Sequence, residues 1–197
     1  EEFIREKVAS NKNIDAVELC ELIDFKDKNN EIKMICKNNN KKVIFTSRFL
    51  IGCDGASSFV RKKLNIDLDD FGYNQKWLVC DAHLIKNMNL KNELVQVCNP
   101  KRPCTFLHGR RGHLRFEFRV MPEDSMEDFK NDDYIWNLLS PWIKRDNAVL
   151  ERAAVYKFHA CIAENWRDKN VLIAGDAAHQ MPPFMGAGMG AGIRDVA

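Results

Sequence analysis

The sequence predicts a mixed α/β chain in which an incomplete α/β layer is interrupted by an antiparallel, β-rich insertion. Three observations lead there. Two apolar runs, Arg48–Cys53 before Asp54-Gly55 and Asn170–Ala174 before Gly175-Asp176, read as strands that end in a tight turn and feed a helix. Between them, His113–Met121 alternates, with Leu114, Phe116, Phe118 and Val120 on one face and Arg115, Glu117 and Arg119 on the other. The 197 residues, 45% apolar and 29% charged, are enough to bury a core without disulfides or metal and do not have the composition of a disordered chain.

The elements follow in order. Residues 1–9 read as the end of a helix. Val17–Phe25, Glu31–Lys37 and Lys42–Ser47 are β-like runs. Polar turn signals separate them, Asp27-Lys28-Asn29-Asn30 and Asn38-Asn39-Asn40-Lys41, whose lysines are solvated charges. Arg48–Cys53 is apolar almost throughout, the pattern of a strand buried on both faces, and Ser57–Leu64 is a short helix. After about residue 72 the character changes. Trp77–Leu84, Glu93–Cys98, Thr105–His108 and His113–Met121 read as strands divided by Gly, Pro and Asn, forming a sheet with one core face and one wet or cavity-lining face. Residues 124–143 read as helical through Met126, Phe129, Ile135, Leu138, Leu139 and Trp142. Ala153–Ile162 is a further strand, and Asn170–Ala174 returns to the buried pattern. The expected organisation places residues 1–70 and 163–197 in the α/β part and residues 71–162 in the insertion. Both ends stop inside helical patterns, without an initiator Met or a cap, which predicts a piece of a longer chain.

Composition narrows the function classes. Thirty Lys+Arg against 28 Asp+Glu leave +2, which is no nucleic-acid footprint. No apolar run reaches the length of a membrane-spanning helix, and the N-terminus has no signal-peptide pattern. Seven cysteines at 20, 36, 53, 80, 98, 104 and 161 form no CxxC pair, and most sit in apolar runs, as Cys53 does. They predict buried free thiols in a reducing cytoplasm, with neither a disulfide set nor a zinc site.

The two strand–turn–helix segments carry the chemistry. In Ile51-Gly52-Cys53-Asp54-Gly55-Ala56-Ser57-Ser58-Phe59-Val60-Arg61, Gly55 allows a sharp turn and close approach of a ligand. Ser57 or Ser58 is the candidate helix cap, and Arg61 is placed to hold Asp54 or a ligand phosphate. The blander alternative is a capped helix with a surface Arg. In the second segment, Asp176 stands where open α/β sheets hold cofactor hydroxyls. Pro182 and Pro183 stiffen the loop, and glycines follow at 186, 188, 190 and 192. Gly188, Gly190 and Gly192 open a helix, where each costs about 1 kcal/mol relative to Ala, so close approach of a flat or phosphorylated ligand is the expectation. Close helix–sheet packing is the alternative. His179 with Asp176 lacks a third ligand, so a packed or hydrogen-bonded histidine is expected rather than a metal site.

Together these segments resemble the flavoprotein monooxygenases of the para-hydroxybenzoate hydroxylase fold, the single-component aromatic hydroxylases. Asp54-Gly55-Ala56 with Ser58 and Arg61 is similar to that family's Asp-Gly motif, and Gly175-Asp176 through Pro182-Pro183 to its second flavin-binding motif. Glu151–Ala160, running on to Gly192-Ile193-Arg194-Asp195, looks most like 3-(3-hydroxyphenyl)propionate hydroxylases. The resemblance implies a Rossmann-like FAD-binding layer with an inserted β-sheet substrate domain. It assigns cofactor binding to Asp54, Gly55, Arg61, Gly175, Asp176, Pro183, Gly186, Gly188 and Met189. Asp176 would take the ribityl chain, and the loop from Pro183 to Met189 would face the isoalloxazine ring, with a helix N-terminus favouring the reduced, anionic flavin. Asp54 and Arg61 would serve both flavin and nicotinamide nucleotide. The implied reaction is reduction of FAD by NADH or NADPH, then delivery of one atom of dioxygen to a phenol ring while the other leaves as water. Partners would be a small aromatic substrate and nothing of nucleic acid or membrane, with homo-oligomer formation allowed. If the substrate carries a propionate, Arg115 or Arg119 is the candidate cation, which requires the arginine face to look toward the cavity and the Leu/Phe face to lie in the core.

The chain departs from the family in two places. The GxGxxG that cradles the ADP part is not in this sequence, and Ala187 stands where the subgroup tends to have Gln. Two competing functions remain: another flavin chemistry (epoxidation, halogenation, dehydrogenation), or a non-enzymatic binding module.

Overall fold

The computed structural model describes residues 2–28, 31–86, 88, 90–91 and 93–197. The expectations that fall on Glu1 and on Asn29-Asn30 of the first turn lie outside the described residues. The exposed helix α1 (Glu2–Ala9) precedes a three-stranded antiparallel meander of β1 (Cys20–Lys28), β2 (Glu31–Asn38) and β3 (Lys41–Ser47). Asn39 and Asn40 turn β2 into β3 with φ of 46° and 64°, a left-handed pair that Asn tolerates better than other side chains. The strand expected over Val17–Phe25 begins only at Cys20, because Leu19 takes φ 54° and cannot be extended.

Next come β4 (Leu50–Gly52), α2 (Phe59–Lys63), β5 (Leu68–Asp70), β6 (Gln75–Leu84), β7 (Leu94–Val97), β8 (Cys104–His108) and β9 (His113–Arg119). They are followed by α3 (Asp132–Leu139), β10 (Ala148–Phe158), β11 (Cys161–Ala163), β12 (Arg167–Asp168), β13 (Val171–Ile173), β14 (His179–Gln180) and α4 (Gly188–Arg194). The largest sheet runs β10-β6-β9-β8-β7, antiparallel throughout. Its apolar face, with Leu78, Cys80, Leu114, Phe116 and Phe118, packs against Phe129, Ile135, Leu139 and Ile143. A second core joins the meander to the paired turn segments through Phe25, Ile32, Val60, Val171, Ile173 and Ala177.

Four expectations need correction. Residues 124–143 are not one helix. A 3-10 turn at Asp128–Lys130 stops at Asn131, whose side chain accepts the N–H groups of Asp133 and Tyr134 and so starts α3 afresh. The strand expected at Ala153–Ile162 starts five residues earlier, follows β6 to Phe158, and then leaves for a second sheet, where β11 pairs with β5 and β14. Arg48–Cys53 shrinks to three strand residues and is not buried on both faces. β4 pairs along one edge, with β13, and Ile51 is 52% exposed. Cys53 is exposed as well, as is Cys98, while Cys36, Cys80, Cys104 and Cys161 are buried and all seven thiols are free. Burial pushes the Cys80 thiol up to about 12, with the Asp81 carboxylate adding to the effect, so that thiol is inert. Among the described residues no helix is long and apolar enough to cross a membrane.

Candidate functional site

The two turn segments arrive side by side because β4 and β13 pair in parallel, Leu50 opposite Val171 and Gly52 opposite Ile173. Each strand therefore delivers its turn at the same, C-terminal edge, where open α/β sheets hold ligands. In the first turn Gly55 has φ 79° with nothing near the position a Cβ would take. Gly52 has another reason to lack a side chain, since a Cβ there would lie 2.7 Å from that of Val60. Ser58, one of the two candidate caps, accepts the Arg61 N–H at 3.0 Å and donates its hydroxyl to Asp54. Asp54 also accepts the Val60 N–H at 3.0 Å. Partial burial would push its carboxyl up, but the Ser58 hydroxyl and backbone N–H groups outweigh it and hold the group below its ordinary value. Asp54 is thus a fixed anion that organises the start of α2.

Arg61 does something the sequence did not suggest. It is 5% exposed, neither on Asp54 nor on the surface. Its Nη1 donates to the Ala177 carbonyl at 2.8 Å and its Nη2 to the Ala56 carbonyl at 2.9 Å. Ala56 belongs to the first turn and Ala177 to the second. The planar, five-donor guanidinium is therefore a clamp between the turns, with two of its N–H groups on backbone carbonyls.

In the second segment Gly175 takes φ 62° and donates its N–H to Asp195 at 2.8 Å. The same carboxylate oxygen lies 2.8 Å from His179 Nε2, and the imidazole stacks on Trp166 at 5.3 Å. Burial raises the Asp195 carboxyl, and the Gly175 N–H and His179 more than reverse this, so it sits below its ordinary value. His179 is thus the packed, hydrogen-bonded histidine expected, with Asp195 rather than Asp176 as partner. Asp176 itself is exposed and, among the described residues, has no hydrogen-bonding or ionic partner. The helix glycines divide. A Cβ on Gly192 would stand 3.2 Å from the Gly175 Cα, so this glycine serves close packing. Gly188 and Gly190 have nothing closer than 4.0 Å, and packing does not account for them.

The loop between these parts is docked by one aromatic residue. Phe184 lies 4.6 Å from Trp77, 6.1 Å from Phe158 and 6.2 Å from Tyr73, and its carbonyl accepts the Gln96 side-chain amide at 2.5 Å. Trp77 is opposite Arg119 and shares its face of the large sheet. The face bearing Arg115, Glu117 and Arg119 therefore looks toward the loop, and the Leu/Phe face lies in the core. The two arginines differ. Arg115 is committed to Asp81 at 2.7 and 3.1 Å, with Arg152 on the same carboxylate at 2.7 Å. Arg119 is half-buried, and its guanidinium makes no hydrogen bond or ion pair among the described residues. Pro183 and Gly186 (φ 60°) belong to the loop, and the exposed Met189 to the start of α4. Phe184, Trp77, Gln96 and Glu117 were not singled out from the sequence. The alternation of Gln75–Leu84 could have placed Trp77, but nothing local could pair it with a residue more than a hundred positions away.

Residues 6–197 match the FAD binding domain family. The chain is 36% identical over 176 residues to a probable NADH-specific resorcinol 4-hydroxylase of Rhodococcus jostii, covering 89% of this chain and 33% of that protein. It is 35% identical over 178 residues to a 3-(3-hydroxy-phenyl)propionate/3-hydroxycinnamic acid hydroxylase of Escherichia coli, covering 89% and 32%. The chain spans about a third of the length of these relatives. Its fold matches p-nitrophenol 4-monooxygenase of Pseudomonas putida at TM-score 0.85 and 18% identity, over 98% of this chain and 50% of that one. It also matches aklavinone-11 hydroxylase, solved with FAD and aklavinone, at 0.76 and 21%, over 89% and 35%.

Proposed function

The chain belongs to the FAD binding domain family, and from that premise we propose that it supplies the flavin-facing turns and one substrate wall of a monooxygenase that hydroxylates phenols with NADH or NADPH and dioxygen. The observation that carries this reading is the pair of parallel strands that bring an unpartnered Asp176 and two glycines with open space to one sheet edge. These features fit the cofactor. The Asp176 carboxylate accepts hydroxyls of the ribityl chain, and the backbone from Pro183 to Met189, bare of side chain at Gly186 and Gly188, approaches the flat ring. FAD, when bound, takes reducing equivalents from the nicotinamide nucleotide and activates dioxygen. The chain's own residues bind, orient and exclude water. Asp54 and Gly55 shape the neighbouring turn, and the Arg61 clamp holds the two turns in register.

Residues 71–162 serve as the substrate domain, and residues 1–70 with 163–197 as part of the FAD-binding domain. The second core, shared by the latter two segments, supports that division. Relatives whose names include a hydroxyphenylpropionate hydroxylase support a phenol bearing a carboxylate, for which Arg119, unlike Arg115 free of an ion pair among the described residues, is the receptor. The free thiols suit a cytoplasmic enzyme.

The test uses the purified full-length protein: its flavin absorbance, and phenol-dependent NADH or NADPH consumption matched to hydroxylated product. Asp176→Ala removes a charge-assisted acceptor contributing about 1.5–3 kcal/mol, so FAD affinity falls roughly tenfold to a hundredfold. Absence of flavin, or wild-type FAD affinity in the variant, overturns the assignment.

A further inference from the structure

Resting on the phenol-hydroxylase reading above, we propose that Glu117 accepts the hydrogen bond, and then the proton, of the substrate's phenolic hydroxyl. Glu117 sits in the middle of β9, the central strand of the large sheet, on the face where the Phe184 loop docks. Its row across the sheet is Ala154, Val79, Glu117, Thr105 and Gln96, and the last of these holds the loop through the Phe184 carbonyl. The adjacent rows are an aromatic one, with Trp77, Tyr156 and Arg119, and an ionic one, with Asp81, Arg115 and Arg152. Phe184 covers Trp77 in the aromatic row, so a phenol ring seated beside Phe184 over this face brings its hydroxyl to the carboxylate.

Glu117 is only 8% exposed, yet it makes no hydrogen bond or ion pair among the described residues. Arg115, two positions away on the same face, is spent on Asp81. Its carboxylate oxygens keep contact with solvent at the surface of this face, so they are open to a ligand and not engaged with protein. Burial also holds its carboxyl above the ordinary glutamate value. Arg115 works against this and Asp81 adds to it. A base poised nearer neutrality is what proton abstraction from a phenol needs.

The step is a single proton transfer. The phenol O–H bond breaks, an O–H bond forms on Glu117, and the electron pair stays on the phenolate oxygen, enriching the ring at its ortho and para positions. No electron enters or leaves the protein. The transferred oxygen comes from dioxygen, and the reducing equivalents from NADH or NADPH. The proton on Glu117 returns to solvent after product leaves.

Other charged or titratable groups on this face are Arg115, Arg119 and His113 on β9, Asp81 and His83 on β6, and Arg152 and Tyr156 on β10. β8 and β7 contribute Thr105, Leu107, Gln96 and Leu94, none of which titrates. The experiment compares wild-type full-length protein with E117Q across phenols of increasing acidity. For an ordinary phenol E117Q should lose about a hundredfold or more in kcat, and the loss should shrink steadily as the phenol becomes more acidic. The acidic limb of the kcat/KM profile should vanish in E117Q and persist in E117D, which should recover part of the rate. Calorimetry in two buffers gives a readout independent of turnover. A nitrophenol ionised in solution should bind wild type with uptake of one proton, and bind E117Q with none. Reduction of bound FAD in the absence of phenol should be unchanged. A loss of equal size for every phenol, or no loss, overturns the role of Glu117 while leaving the hydroxylase reading intact. Wild-type protein that hydroxylates no phenol overturns both.

Discussion

Replacing Arg61 by Met separates a structural clamp from a ligand-facing cation. The side chain donates one hydrogen bond to Ala56 and one to Ala177, at 2.9 and 2.8 Å, and joins turns separated by more than a hundred residues in sequence. Hydrogen bonds from a charged donor contribute about 1.5–3 kcal/mol each, and because one guanidinium makes both, the two do not add in full. Met keeps most of the buried stem but leaves the carbonyl of the fully buried Ala177 without this donor. The expected loss is therefore about 3–4 kcal/mol, a large fraction of a domain's ~5–15 kcal/mol stability. Arg61→Lys keeps the charge but, lacking the planar fork, should reach one carbonyl and lose roughly half as much. Urea unfolding of the full-length protein, compared at constant m, measures both variants. FAD retention should fall together with stability, because the turns splay. If Arg61→Met unfolds within about 0.5 kcal/mol of wild type while reduction by the nicotinamide nucleotide slows, the clamp reasoning is wrong and Arg61 faces the nucleotide.

Three further outcomes follow from the geometry. Arg119→Met should raise KM for a phenylpropionate-type phenol about tenfold or more and spare an uncharged phenol, whereas Arg115→Met, which strips Asp81 of one partner, should reduce stability and affect both substrates alike; equal effects of Arg119→Met on the two phenols would remove it from the substrate site. Gly190→Ala should stabilise flavin-free protein by up to about 1 kcal/mol and weaken FAD binding, while Gly192→Ala should destabilise it through the 3.2 Å approach to Gly175; melting curves with and without FAD would show the reverse order if packing alone explained both glycines. Arg102, with the Met121 N–H and Tyr134 against the opposing effect of burial, holds the Asp124 carboxyl down at about 2, from 3.8. Because the folded value is depressed, the stabilisation of about 2 kcal/mol is complete above pH ~4 and disappears as pH falls toward ~2. Asp124→Asn should flatten that acid limb of the stability curve, and an unchanged limb would place the titration elsewhere.

What the sequence determined by itself was whatever depends on neighbours along the chain. Period two in His113–Met121 assigned Leu114, Phe116 and Phe118 to one face and the arginines to the other, since alternation is a property of any extended backbone. The strand–turn–helix order at Asp54-Gly55 and Gly175-Asp176 was legible because glycines with φ of 79° and 62° and a Ser cap act over a few residues. Elements that depend on distant partners were misread. The apolar run at Arg48–Cys53 looked doubly buried, but whether a strand has neighbours on both edges is not written in its own residues, and Ile51 stands exposed. The helical periodicity of residues 124–143 could not reveal that Asn131 would cap a fresh helix in the middle.

Only the tertiary structure decided the site's internal wiring. Arg61 could be assigned to Asp54, to a phosphate or to solvent from its place in the motif; the parallel pairing of β4 with β13 put the Ala177 carbonyl within its reach and made it a buried clamp between the turns. Asp195 rather than Asp176 became the partner of His179 because α4 folds back onto the turn at Gly175, a close packing that Gly192, without a Cβ, permits. Arg115 and Arg119 are equivalent in an alternating pattern, and they part company because Asp81 lies opposite the first and Trp77 opposite the second. Register across a sheet pairs residues tens of positions apart, and it is that pairing, invisible in local composition, that leaves Glu117 and Arg119 without a side-chain hydrogen bond or ion pair among the described residues on the face beside the Phe184 loop.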